Sequence, residues 1–147
     1  MEFMHISELS RGMAFPEYEY TLSEDIIKKY LEAVEAGDPL YGDAAYAKGQ
    51  VFGHIIVPPT SISIYVTPSR VLMTLGKKPP AGLIQTGQRF EFCNPIEVGE
   101  TVTVKASVAD LYEKKGRHYV VLKAEAFSRK GRRAAVSCLT FIWPAQT

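Results

Sequence analysis

At 147 residues, with 46% hydrophobic and 22% charged side chains, the chain has the makeup of one folded domain and is neither disordered nor fibrous. A formal net charge of +1 supplies no global basic field to recruit nucleic acid or an anionic membrane surface. Residues 1–12 carry Glu2, His5 and Glu8 with no uninterrupted apolar run, so no secretory signal is expected there. The longest apolar stretch, 51–66, is broken by His54 and by Pro58-Pro59, which rules it out as a membrane span. The expectation is a single cytoplasmic domain over 1–147 with no nucleic-acid or membrane partner. Cys93 and Cys138 lie in apolar runs without metal-ligand spacing. Two buried thiols in a reducing compartment are expected, a disulfide being the alternative.

Residues 14–20 alternate weakly, as in a short strand. Over 22–36, Ile26, Ile27, Tyr30, Leu31 and Val34 recur at helical spacing, with Glu24, Asp25, Lys28, Lys29, Glu32 and Glu35 on the opposite face. Thr21 and Glu24 fit a capping box, and Gly37 fits the stop. Residues 38–53, rich in Gly, Asp and Ala, read as irregular. Pro58-Pro59-Thr60 then opens a second element over 61–75, since proline in a first turn removes no intrahelical donor. Ile62, Ile64 and Val66 alternate there as in a strand and Pro68 interrupts, so the reading is a broken helix.

After the loop at 77–82 the pattern turns to strands: 85–93, 101–110, 118–127 and 133–143. The last three are joined by turns containing Lys115-Gly116-Arg117 and Lys130-Gly131-Arg132, where glycine allows positive φ. The stretch 94–100, with Pro95 and Gly99, reads as a longer crossover. Helices followed by an antiparallel meander make an α+β pattern, with the apolar element at 61–75 covering one face of the sheet.

Four pieces in order resemble the MaoC-like acyl dehydratases. They are Thr21-Leu22-Ser23-Glu24-Asp25-Ile26-Ile27 leading to Tyr30, and Asp38-Pro39-Leu40-Tyr41 with Asp43. The others are Gly53-His54-Ile55-Ile56-Val57-Pro58-Pro59-Thr60, and Gly87-Gln88-Arg89-Phe90-Glu91-Phe92 with Pro95-Ile96-Glu97-Val98-Gly99-Glu100-Thr101. The resemblance spans roughly residues 16–144. It implies a hot-dog fold, a curved antiparallel sheet around a central helix, which would be the element at 61–75. It implies a bound acyl thioester, carried by coenzyme A or by an acyl-carrier protein, and a homodimer or a heterodimer with another hot-dog subunit. No cofactor is implied. The thioester carbonyl would meet backbone N–H groups at the helix start near Pro59, Thr60 and Ser61; neither proline can donate, so Thr60 or Ser61 must. His54 would lie beside the pocket entrance.

The family hydrates enoyl thioesters with an Asp and a His in G-D-x-N-P-x-H, both oriented onto one water. Aligned without a gap on Pro39, the acid's place here is Ala36, the Asn's is Asp38 and the His's is Tyr41. Matching Gly37-Asp38 to the family's Gly-Asp instead restores an acid but deletes two residues before Pro39. A tyrosine with a pKa of about 10 is a poor base at neutral pH, though it can donate a proton or position water. The plain alternatives are a turn residue for Asp38, a packed aromatic for Tyr41 and a structural role for His54. The basic loop residues (Lys77, Lys78, Lys114, Lys115, Arg117, Arg129, Lys130, Arg132 and Arg133) suit either coenzyme A phosphates and an acidic carrier, or plain solvation.

Two functions remain open at this stage. One is a hydratase/dehydratase of enoyl or 3-hydroxyacyl thioesters using Asp38 and Tyr41 as a variant catalytic pair. The other is a non-catalytic subunit that forms the acyl tunnel for an intact partner. A thioesterase would want an acid on the central helix, and 61–75 contains none.

Overall fold

The computed structural model describes residues 1–146. Five strands form one antiparallel sheet: β1 (Tyr18–Thr21), β2 (Ile84–Phe92), β3 (Thr101–Lys114), β4 (Arg117–Phe127) and β5 (Arg133–Trp143), in the order β1-β3-β4-β5-β2. The alternation seen in the sequence fixes the buried face: Val102, Val104, Ala106 and Val108 on β3 point inward, joined by Val120, Leu122, Ala124 and Ala126 on β4. Lys115 and Gly116 close the β3–β4 hairpin with φ of 51° and 73°, the two positive values that a two-residue turn matching strand twist requires. Because β2 lies at the far edge from β3, the chain after β2 must cross beneath β5 and β4, as the Pro95–Gly99 segment leads one to expect.

The central element is broken as the sequence indicates. A 3-10 turn at Pro59–Ser61 runs into α3 (Ile62–Tyr65), and α4 (Pro68–Met73) follows. Thr67 is extended (φ −129°, ψ 154°) because the ring of Pro68 disfavours a helical residue before it, and its Oγ1 caps α4 by accepting from the Arg70 N–H at 3.2 Å. Ile62, Tyr65, Val66, Val71 and Leu72 pack into one core with the inner face of the sheet. A helix seated on an antiparallel sheet is the α+β hot-dog arrangement.

Two details of the first helix differ from expectation. α1 spans Glu24–Ala33 and its cap is Ser23, whose hydroxyl accepts from the Ile26 N–H at 3.3 Å. Thr21 is not the cap, because pairing with Thr101 holds it in β1, with the two hydroxyls 2.7 Å apart. Gly37 is not the stop either. Glu35 takes the left-handed conformation (φ 55°), with its N–H on the Glu32 carbonyl and the Ala36 N–H on the Leu31 carbonyl, the paired bonds of a Schellman ending. The irregular stretch after it contains a 3-10 turn (Pro39–Tyr41) and α2 (Ala44–Lys48). The expectation of two buried thiols also fails: both cysteines are free, Cys138 is half-buried and Cys93 is exposed where β2 ends at the sheet edge.

β1 is anchored to the central helix by Tyr18, whose hydroxyl donates to the Tyr65 carbonyl at 2.6 Å. Burial pushes the Tyr18 phenol from its ordinary value near 10 up to about 12, against a small opposing pull from Arg70. Burial likewise pushes Tyr65 up, with the nearby Tyr18 adding to the shift. A raised folded pKa means the unfolded chain releases its phenolic protons first. Stability is therefore complete below pH 10 and falls as pH rises from there toward 12. Tyr18→Phe is expected to make this alkaline fall shallower in urea titrations read between pH 9 and 12; an unchanged slope would remove Tyr18 from the account.

Candidate functional site

The segment before the central helix is pinned to the crossover. The Val57 N–H donates to the Ile96 carbonyl at 2.8 Å and the Val98 N–H to the Ile55 carbonyl at 3.1 Å. This pairing fixes where the 3-10 turn at Pro59 begins. It leaves an apolar cavity of about 390 Å³ between that turn, the 40–52 loop, the crossover and the start of β5. Its walls include Leu40, Phe52, Ile56, Val57, Phe92, Ala134 and Ala135, with Tyr41, Ser61, Tyr65, Cys93 and Asn94 as the polar members. No carboxylate or imidazole is among the lining groups.

The residues singled out from the sequence separate into distinct places. Tyr41 is half-buried and lines this cavity, and on its other side borders a second of about 610 Å³. His54 and Glu97 line that second cavity with Glu24 and Lys28, the His54 Nε2 lying 3.7 Å from Glu97 Oε1, with the His54 side chain largely exposed and that of Glu97 half-buried. Asp38 lines neither cavity. Its carboxylate accepts from the Leu40 N–H at 2.9 Å, capping the turn that carries Tyr41, and it borders a shallow recess with Tyr46 and Gln50. Ala36 closes the helix ending, so no acid stands at that point in the chain.

At the helix start, the Ser61 N–H is spent on the Pro58 carbonyl at 2.9 Å, which leaves Thr60 as the available backbone donor. Thr60 is exposed at the rim, and its hydroxyl is 2.8 Å from that of Tyr30 on α1. Pro59 and Ser61 both line the cavity. Sequence reasoning missed Tyr65, Phe52, Cys93 and Asn94. Tyr65 had a usable signal, since it follows Ser61 by four residues and so shares its helical face. Cys93 and Asn94 had none, because their position depends on where β2 leaves the edge of the sheet. Both N–H groups there donate to the Ala134 carbonyl, and the Asn94 side-chain amide donates to the Arg133 carbonyl at 2.7 Å.

The sheet, the central helix and a cavity at the helix start define a protein of the hot-dog class. Residues 10–136 match the model of the FAS1-like dehydratase domain region, and the chain belongs to that family, the MaoC-like hot-dog dehydratases. Among curated relatives, the UPF0336 protein of Thermobifida fusca is 25% identical over 133 residues, covering 88% of this chain and 86% of that one. The (R)-hydratase from A. caviae involved in PHA biosynthesis superposes with a TM-score of 0.76 at 23% identity, over 92% of this chain and 98% of the other. The HadBC (3R-hydroxyacyl-ACP dehydratase) complex from Mycobacterium tuberculosis superposes at 0.78 with 19% identity, over 90% and 96%. No helix among the described residues is long and apolar enough to cross a membrane.

Proposed function

We propose that this chain is an acyl-thioester-binding member of the hydratase/dehydratase family that forms the acyl tunnel for a second, catalytically complete hot-dog subunit. One observation carries the reading: the cavity at the helix start has Tyr41 on its wall but no acid or imidazole, while the Asp38 carboxylate is engaged in capping the turn. Water addition needs a general base, the part that the family's Asp and His play, and the cavity wall holds neither. Thr60 at the rim supplies the N–H for a thioester carbonyl, and the apolar walls suit the chain behind it. The carrier is coenzyme A or an acyl-carrier protein.

The sheet edge supports pairing with another subunit. β2 runs for nine residues with none buried, and Ile84 and Phe92 are exposed on it. An exposed sheet edge of this length invites another strand, and the solved structures that this fold resembles include the HadBC complex. Two free thiols suit a cytoplasmic setting.

The enzyme reading, with Asp38 and Tyr41 as the catalytic pair, requires Asp38 to give up its cap and reach the cavity. Hydration of trans-2-enoyl-CoA, followed as loss of enoyl absorbance, separates the two. The purified chain alone is expected to give no rate above background, and activity is expected on co-expression with a hot-dog protein that carries an intact G-D-x-N-P-x-H. Asp38→Asn is expected to change the paired rate by no more than about twofold. Turnover by the chain alone, abolished by Asp38→Asn, would establish the enzyme reading instead.

A further inference from the structure

The β3–β4 hairpin carries a group of side chains that the acyl cavity does not use. Leu111 and Val120 are register partners and turn into the core. By alternation the pairs Tyr112 with Tyr119 and Lys114 with Arg117 stand on the opposite, outer face of the sheet. The two rings stack nearly parallel, with centroids 5.0 Å apart and an interplanar angle of 6°. Tyr112 is 38% exposed, and β1 reaches only Thr101–Val104 of β3, so no strand stands beyond it.

The cations next to the rings oppose hairpin formation. Lys114 and Arg117 are direct cross-strand partners, and like charges opposite each other are destabilising. Lys115, in the turn with φ of 51°, adds a third positive charge between them. None of the three has an ion-pair partner among the described residues. Glu113 precedes Lys114 in the chain, but alternation sends it to the other face, where its register partner is His118. Solubility asks for charge at a turn, and a pair of opposite sign would supply it without the repulsion. A like-signed pair beside an exposed aromatic ring calls for an anion that carries a flat group.

We infer that the outer face of this hairpin binds a nucleotide polyphosphate, its base stacked on Tyr112 and its phosphates across Lys114, Lys115 and Arg117. Tyr112 and Lys114 are alternate residues of one strand, so their positions are about 7 Å apart, a gap that a ribose bridges. Stacking on an aromatic ring accepts any base, and a guanidinium can grip two phosphate oxygens at once. The site is separate from the acyl cavity. That cavity touches β5 at Ala134 and Ala135, whereas the hairpin lies at the other end, where Trp143 pairs with His118. From Ala135 to Trp143 the strand runs about 26 Å, so the inference stands apart from the acyl-thioester reading. A free nucleotide and the nucleotide end of coenzyme A share this chemistry.

Calorimetric titration of the full chain with ATP, tripolyphosphate and coenzyme A is the test. ATP is expected to bind more tightly than tripolyphosphate. The double variant Lys114→Gln/Arg117→Gln is expected to weaken both about tenfold or more. Lys130→Gln/Arg132→Gln, in the other basic turn, is expected to change neither by more than about twofold, being beyond the reach of screened charge. Tyr112→Ala is expected to weaken ATP about fivefold or more and to leave tripolyphosphate unchanged, which also shows that the hairpin is intact. Coenzyme A that competes with ATP marks its nucleotide end as the ligand, and coenzyme A that leaves ATP binding unchanged marks a free nucleotide. The inference is overturned if ATP does not bind, or if the two double variants weaken it alike. It is also overturned if a polyglutamate peptide binds as tightly as ATP, which would make the hairpin a dock for an acidic segment.

Discussion

Phe141→Ala is expected to lower the free energy of unfolding by about 3–5 kcal/mol, read from the urea midpoint at constant slope. Phe141 is fully buried on β5, in register with Val120 on β4 and Gln85 on β2, and its ring lies 6.4 Å from that of Trp143. Truncation removes the ring's transfer energy and leaves a void between the sheet and the central helix, which the surrounding β5 backbone, paired on both sides, cannot close. A loss of that size is a large share of the roughly 5–15 kcal/mol that holds a typical domain folded. Val51, 93% exposed, provides the contrast: Val51→Ala should shift stability by no more than about 0.5 kcal/mol. A small loss for Phe141→Ala would mean that the core is not continuous through β5.

The same core explains which parts of the fold were legible in the sequence. β3 and β4 alternate over their paired lengths because one face of each is covered, while β5 opens with four consecutive buried residues, Ala134 to Ser137, and the two glycine-bearing turns mark where each hairpin folds back. The break in the central helix was legible because Pro68 acts locally on Thr67. Caps were less so. Thr21-Ser23-Glu24 offers two hydroxyls for one helix start, and the choice of Ser23 is made by a strand pairing with Thr101, 80 positions away in the chain. Gly37 looked like the helix stop, yet Glu35 takes the left-handed position.

The site was legible in outline only. The motif around Pro39 departs from the family's pattern at the expected positions of its acid and histidine, and Tyr41 lines the cavity. Whether Asp38 reaches it is a matter of side-chain direction, settled by a local bond to the Leu40 N–H that competes with any longer reach. Spacing alone could not rank those two. His54 was read as a neighbour of the pocket entrance and lies on the adjoining cavity with Glu97, whose segment is bridged to Ile56.

Filling the cavity from the sheet side gives the second large expected effect. Ala135 is 4% exposed, lines the cavity and pairs with Ala126, whose side chain shares the inner face of the sheet. Its methyl leaves open the space that a longer side chain would occupy, so Ala135→Trp should shorten the cavity available to a ligand. Each methylene shut out forfeits about 0.8 kcal/mol, so excluding four weakens binding by about 3 kcal/mol, roughly 200-fold. The loss should therefore grow with acyl length, being large for decanoyl-CoA and slight for butyryl-CoA. Overpacking alone costs about 1–3 kcal/mol of stability and would weaken every ligand alike. A graded series at this position (Val, Leu, Trp) separates the two effects, because only occlusion makes the affinity loss track both side-chain volume and chain length. Equal affinity of Ala135→Trp and the parent chain for decanoyl-CoA would put the acyl chain elsewhere. The second cavity, bordered by Tyr41 and His54, would then be the place to look.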